Sequence, residues 1–117
     1  MRIKDMRLTS LGIHSTKISD DGFESLSAVT SLRSLNCSNT DITDTGIQHI
    51  SKLVYLRHLV LDIFEGNVSC EGLMMALTSL KLLNTLHCRC SKGDNAVFLN
   101  FCRDRKLVLD GLDPTEY

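Results

Sequence analysis

The chain has no tryptophan, and only two Tyr and four Phe in 117 residues. Single-stranded nucleic acid is held largely by stacking on aromatic side chains, so this scarcity of rings argues against that class of binder. An excess of one charge is missing as well: 13 Lys and Arg face 14 Asp and Glu, for a net charge of -1. Neither nucleic acid nor an anionic membrane surface is an expected partner for such a balance. With one Pro and seven Gly the chain is neither collagen-like nor a Pro/Gly-rich low-complexity segment. No window approaches the roughly 18 consecutive apolar residues of a membrane span. The stretch Met1 to Arg7 carries charge and is followed by Leu8-Thr9-Ser10-Leu11, not by an apolar block of signal-peptide length. Phosphate-cradling loops are lacking too. Ser91-Lys92-Gly93-Asp94 does not have the P-loop pattern, so no nucleotide cofactor is expected.

What is present is globular composition, 43% apolar and 23% charged, at a length suited to one domain over 1–117. The five Cys stand at 37, 70, 88, 90 and 102. An odd, scattered set is not the even framework of a small secreted domain. It suggests reduced thiols and an intracellular, cytoplasmic or nuclear protein.

An internal repeat dominates the pattern. Leu8-Thr9-Ser10-Leu11-Gly12-Ile13 returns as Leu32-Arg33-Ser34-Leu35-Asn36-Cys37 and as Leu56-Arg57-His58-Leu59-Val60-Leu61, at 24-residue intervals. Leu83-Asn84-Thr85-Leu86-His87-Cys88 follows after a slightly longer interval, and Arg105-Lys106-Leu107-Val108-Leu109 is a degenerate fifth copy. Alternation within each copy predicts a short strand. Afterwards the period changes: Phe23, Leu26 and Val29, then Ile47, Ile50 and Leu53, then Leu73, Leu77 and Leu80 sit at helical spacing. Ser19, Thr43 and Ser69 are candidate N-caps, with Asp20, Asp44 and Glu71 in the first turns, where the helix dipole favours acids.

The spacing L-x-x-L-x-L followed by a helical return resembles the leucine-rich repeat. The links Thr16-Lys17-Ile18-Ser19-Asp20-Asp21-Gly22 and Thr40-Asp41-Ile42-Thr43-Asp44-Thr45-Gly46 are similar to those of its cysteine-containing and ribonuclease-inhibitor-like branches. The resemblance implies an α/β solenoid, a short horseshoe arc with a parallel β-sheet on the concave face and α-helices on the convex face. About four repeats would occupy 8–104, with a degenerate C-terminal cap over 105–117. It also implies a non-catalytic protein–protein interaction module or scaffold. Where family members serve as substrate receptors of ubiquitin ligases, an F-box-like helical segment accompanies the repeats. None precedes them here, so such a role would need a separate partner. Thr16 and Thr40 replace the more usual Asn or Cys after the strand, which leaves the curvature open.

The ends differ. Residues 105–117 read as a closing cap, whereas counting back 24 from Leu26 and Val29 reaches Arg2 and Asp5, where no helix is encoded. Ile3 and Met6 would cover the first strand poorly. The strand near Leu8 to Ile13 is therefore expected to be an open edge, available to a partner, to further repeats, or to a second copy in an edge-to-edge dimer.

Positions between the buried leucines point to the concave face. The protein-binding candidates are Arg33, Asn36, Arg57, His58, Val60, Asp62, Asn84, His87, Arg89 and Arg105. Arg33 and Arg57 share one slot on successive strands, about 5 Å apart, with Arg105 and Lys106 expected to extend the column. Guanidinium forks bind carboxylates in pairs, so a partner with an acidic surface is expected. Cys37 and Cys88 fall on inward slots and read as small core hydrophobes. His87-Cys88-Arg89-Cys90 lacks the ligand number and spacing for zinc, and no metal or other cofactor is expected. Cys90 with His87 or His58, and Asp62 as third member, is the one thiol-enzyme arrangement the face offers. Nothing in the sequence activates it, so the chain is not read as an enzyme.

Overall fold

Strand and helix alternate along the chain at the spacing of the sequence repeat. The computed structural model describes residues 8–62, 68–89, 95–109 and 115. Within them, β1 (Ser10–Gly12), β2 (Ser34–Asn36), β3 (His58–Asp62), β4 (Thr85–Arg89) and β5 (Val108–Leu109) form one parallel sheet in sequential order. The helices α1 (Asp20–Leu26), α2 (Asp44–Ile50), α3 (Cys70–Leu77) and α4 (Asn95–Asp104) fill the four crossovers, and each packs against the next.

The register explains the leucines. Leu11, Leu35, Leu59, Leu86 and Leu109 stand opposite one another across the five strands. Side chains two residues apart share a face of a strand, so Cys37, Leu61 and Cys88 point the same way, and all three are buried. The helices add Phe23, Leu26, Ile47, Ile50, Leu73, Leu77 and Phe98 to the same core. Burying one such side chain fully is worth about 1.5–3 kcal/mol. The opposite face of the sheet carries the intervening residues, from exposed Ser10 and Gly12 to exposed His58 and His87.

The helices are shorter than the helical spacing suggests. They stop at Leu26, Ile50 and Leu77. Val29, Leu53 and Leu80 are buried from the turn that follows. There the backbone tightens into i→i+3 bonds: Val29 N–H to the Leu26 carbonyl and Leu32 N–H to Val29, repeated at Leu53/Leu56 and at Leu80/Leu83. Three-residue steps keep apolar side chains facing the core while the chain turns back into a strand.

Ser19, Thr43 and Ser69 all occupy N-cap positions. The Thr43 and Ser69 hydroxyls accept from helix N–H groups, and that of Ser19 does not. The acids do more than meet a dipole. Asp20 accepts from the Thr43 N–H at 2.9 Å and from its hydroxyl. Asp44 accepts from the Ser69 N–H and hydroxyl, both at 2.8 Å. Each carboxylate thus fastens the N-cap of the next helix. Glycine provides the room: a Cβ on Gly46 would strike Asp20, and one on Gly72 would lie 2.6 Å from Asp44 Oδ1. In the third copy the corresponding slot holds Cys70, immediately before Glu71.

β1 is a sheet edge. Leu8, Leu11, Ile13 and Ile18 are only partly buried, whereas their counterparts in the next copy, Leu32, Leu35, Cys37 and Ile42, are fully buried. Ile3 and Met6 lie outside the described residues, as does most of the expected cap beyond Leu109. Among the described residues no helix is long and apolar enough to cross a membrane.

Candidate functional site

The face of the sheet opposite the helices is built in rows, because parallel pairing stacks equivalent residues. Ser10, Ser34, His58, Thr85 and Val108 form one row. Gly12, Asn36, Val60 and His87 form the next. Asn36 and Val60 are half-buried, and Asn36 is committed locally: its Oδ1 accepts from the Ser38 N–H at 3.2 Å and the Ser38 hydroxyl at 3.0 Å. His58 and His87 are exposed, and their register partners are Thr85 and Val60, so the two imidazoles stand diagonally. Asp62 and Arg89 are register partners at the far end of β3 and β4.

The arginine row lies where the strands begin. The Thr9 carbonyl accepts from the Arg33 N–H at 2.8 Å, the Arg33 carbonyl from the Arg57 N–H at 2.7 Å, and the Arg57 carbonyl from the Asn84 N–H at 2.9 Å. Thr9, Arg33, Arg57 and Asn84 are therefore neighbours in one row, and all four are exposed. Neither Arg33 nor Arg57 makes an ion pair among the described residues. Two adjacent guanidinium groups with no counter-charge are mutually unfavourable, and both gain from a carboxylate supplied from outside.

Arg105 does not extend this row. Leu109 pairs with Leu86 and Val108 with Thr85, so the residue in register with Asn84 is buried Leu107. Arg105 instead turns its guanidinium to the end of α3, donating to the Leu77 carbonyl and, at 2.6 Å, to the Leu80 carbonyl. Its guanidinium carbon lies 5.7 Å from the Phe101 ring centre. It adds a second, charged donor to helix-end carbonyls that already accept from the Leu80 and Leu83 N–H groups. Lys106 is a turn residue with φ 57°.

Beside the arginines the structure adds residues that the sequence pattern alone does not single out. Tyr55 and Leu82 occupy the same turn one copy apart, each shortly before the paired His58 and Thr85. They are 54% and 44% exposed, and Val54 beside them is 45% exposed. An open hollow lined by Thr9, Thr30, Ser31, Arg33 and Tyr55 joins this turn to the arginine row. The spacing that aligns the leucines also aligns Ser31, Tyr55 and Leu82, and is the signal that could have found them.

Cys90, the nucleophile of the thiol-enzyme alternative, lies outside the described residues. Cys37, Cys88 and Cys102 are buried and Cys70 is half-buried. Among the described residues no group of three or more His, Cys, Asp or Glu is placed to hold a metal ion. Comparison of the chain with protein-family models, curated proteins and solved structures gives no match.

Proposed function

We propose that the chain is a short leucine-rich-repeat arc that acts as a non-catalytic protein-binding module through the open, concave face of its sheet. The observation that carries this reading is the exposed pair Arg33 and Arg57, adjacent in one row and without an ion-pair partner among the described residues. Side chains of this type concentrate binding energy at protein interfaces. The regular register supports the solenoid reading, since each strand–helix unit leaves an apolar side that only a neighbouring unit covers. Buried thiols and the odd cysteine count support a reducing, intracellular setting.

The test is affinity capture from native cells with mass spectrometry, run beside the Arg33→Glu, Arg57→Glu double variant. A stoichiometric partner lost with the variant supports the concave face. The same partner retained moves the contact elsewhere.

A second reading is favoured by the partial exposure of Leu8, Leu11, Ile13 and Ile18 at the β1 edge. In it the chain is a structural subunit, or part of a longer array, docked through that edge to further repeats or to a second copy. A monodisperse monomer with slow amide exchange at Ser10 to Gly12 would reject it.

A further inference from the structure

We infer that the occupant of this face is an acidic segment of a partner protein carrying at least one large apolar side chain, seated at the rim where the strands begin and not across the middle of the sheet. This rests on the reading of the open face as a protein-binding surface, and it names the partner's chemistry.

Charge distinguishes the rim from the centre. In the middle rows the side chains are Ser34, Asn36, His58, Val60, Thr85 and His87. The centre therefore makes no strong demand for a counter-charge. At the rim, Arg33 and Arg57 are adjacent and exposed, and among the described residues no carboxylate lines the hollow beside Arg33. Its lining offers Arg33 and the hydroxyls of Thr9, Thr30 and Tyr55, all able to donate to a carboxylate. The Ser31 hydroxyl is already committed to the Leu8 carbonyl at 2.6 Å.

The apolar part follows from the adjoining row. Neighbouring strands stand about 4.8 Å apart, so Tyr55 and Leu82, in equivalent turns, present a short apolar strip alongside the two cations. Tyr combines a rigid apolar ring with a polar tip, which suits it to an interface that is wet at its margin. A segment that alternates acids with an aromatic or aliphatic residue matches both rows at once. A purely anionic polymer such as nucleic acid would satisfy the arginines and leave the strip bare.

The experiment is fluorescence anisotropy on the full chain with four labelled probes. They are a 12-residue peptide of Asp, Glu and Phe, its counterpart with Ser for Phe, a Lys and Phe peptide, and a single-stranded oligonucleotide. We expect the acidic–aromatic peptide to bind most tightly, weakening as ionic strength rises. The Ser peptide should bind about fivefold more weakly. Arg33→Glu with Arg57→Glu should cost about tenfold or more, and Arg33→Gln with Arg57→Gln a smaller factor in the same direction. Tyr55→Ser should weaken the Phe peptide alone. Thermal melts establish that each variant is folded.

The inference is overturned if no acidic peptide binds, if the Lys peptide or the oligonucleotide binds as tightly, or if folded arginine variants retain full affinity. A cellular partner separates this inference from the reading beneath it. If the partner is lost with Val60→Glu and His87→Glu but kept by the arginine and Tyr55 variants, the rim assignment fails and the binding face stands. If it is indifferent to both sets, the binding face itself fails.

Discussion

Asp44 accepts from both the backbone N–H and the hydroxyl of Ser69, a residue in the following copy of the repeat. The same pair of bonds joins Asp20 to Thr43. One carboxylate thus does two jobs: it is a first-turn acid in its own helix and the acceptor that fixes where the next helix starts.

Removing it should loosen two helices together. Hydrogen bonds to charged groups contribute about 1.5–3 kcal/mol when shielded and less near solvent. Asp20→Ala should therefore cost about 2 kcal/mol, because its bonds are partly buried. Asp44→Ala, whose bonds are exposed, should cost about 1 kcal/mol. Urea denaturation of the two variants checks the order as well as the size.

The glycine notch gives a prediction whose sign depends on background. Gly72→Ala places a Cβ against Asp44. Alone it should destabilise by about 1–2 kcal/mol, an overpacking cost. In the Asp44→Ala background the obstacle is gone, and the better helix propensity of Ala should make the same change stabilising by up to about 1 kcal/mol. A double-mutant cycle measures the coupling. Equal effects in both backgrounds would show that the notch does not serve the carboxylate.

Arg105 should act as a structural residue, not a binding one. Arg105→Leu removes the charged donor from the Leu77 and Leu80 carbonyls and leaves each with one backbone N–H. We expect a loss of about 2 kcal/mol in denaturation and no change in partner affinity among folded molecules. Arg105→Lys should recover little, because an ammonium does not fork across two carbonyls.

The thiols should label in order of burial. Among the described cysteines, Cys70 should react first with a maleimide in native buffer, and Cys37, Cys88 and Cys102 only as the protein opens. Mass spectrometry of timed digests gives the order, and early modification of Cys37 would contradict the core drawn around it.

Much of this organisation is written in the sequence, for identifiable reasons. The equal leucine spacing of the first three copies places β1, β2 and β3 in parallel register, and the same count makes Arg33 and Arg57 neighbours. Arg105 departs from its expected place because Leu109, and not Leu107, takes the slot opposite Leu86, and the chain enters β5 through a left-handed turn at Lys106. Helix ends are hard to read because the tight turns keep Val29, Leu53 and Leu80 on the apolar side, which imitates another helical step. The bonds from Asp20 and Asp44 escape a sequence reading because local physics already gives a first-turn acid a role. Only the recurrence of Asp beside the cap, with Gly soon after, hints at a longer reach. Tyr55 and Leu82 draw no attention because exposed apolar residues in turns are common one at a time, and only their stacking makes them a strip.

The Asp–hydroxyl–glycine joint has one more property: both of its halves are encoded in each of the units 20–43 and 44–69, although the next begins with Cys70. The block 20–43 begins with the acceptor Asp20 and ends with the donor Thr43, and it carries Gly22 at the position that Gly46 holds in the next unit, where a Cβ would strike Asp20. Copied in tandem after residue 43, it would meet matching partners on both sides, widening the sheet by one strand with no new chemistry. Chain length in this architecture is a dial that can be turned one repeat at a time, and the joint is the thread on which it turns.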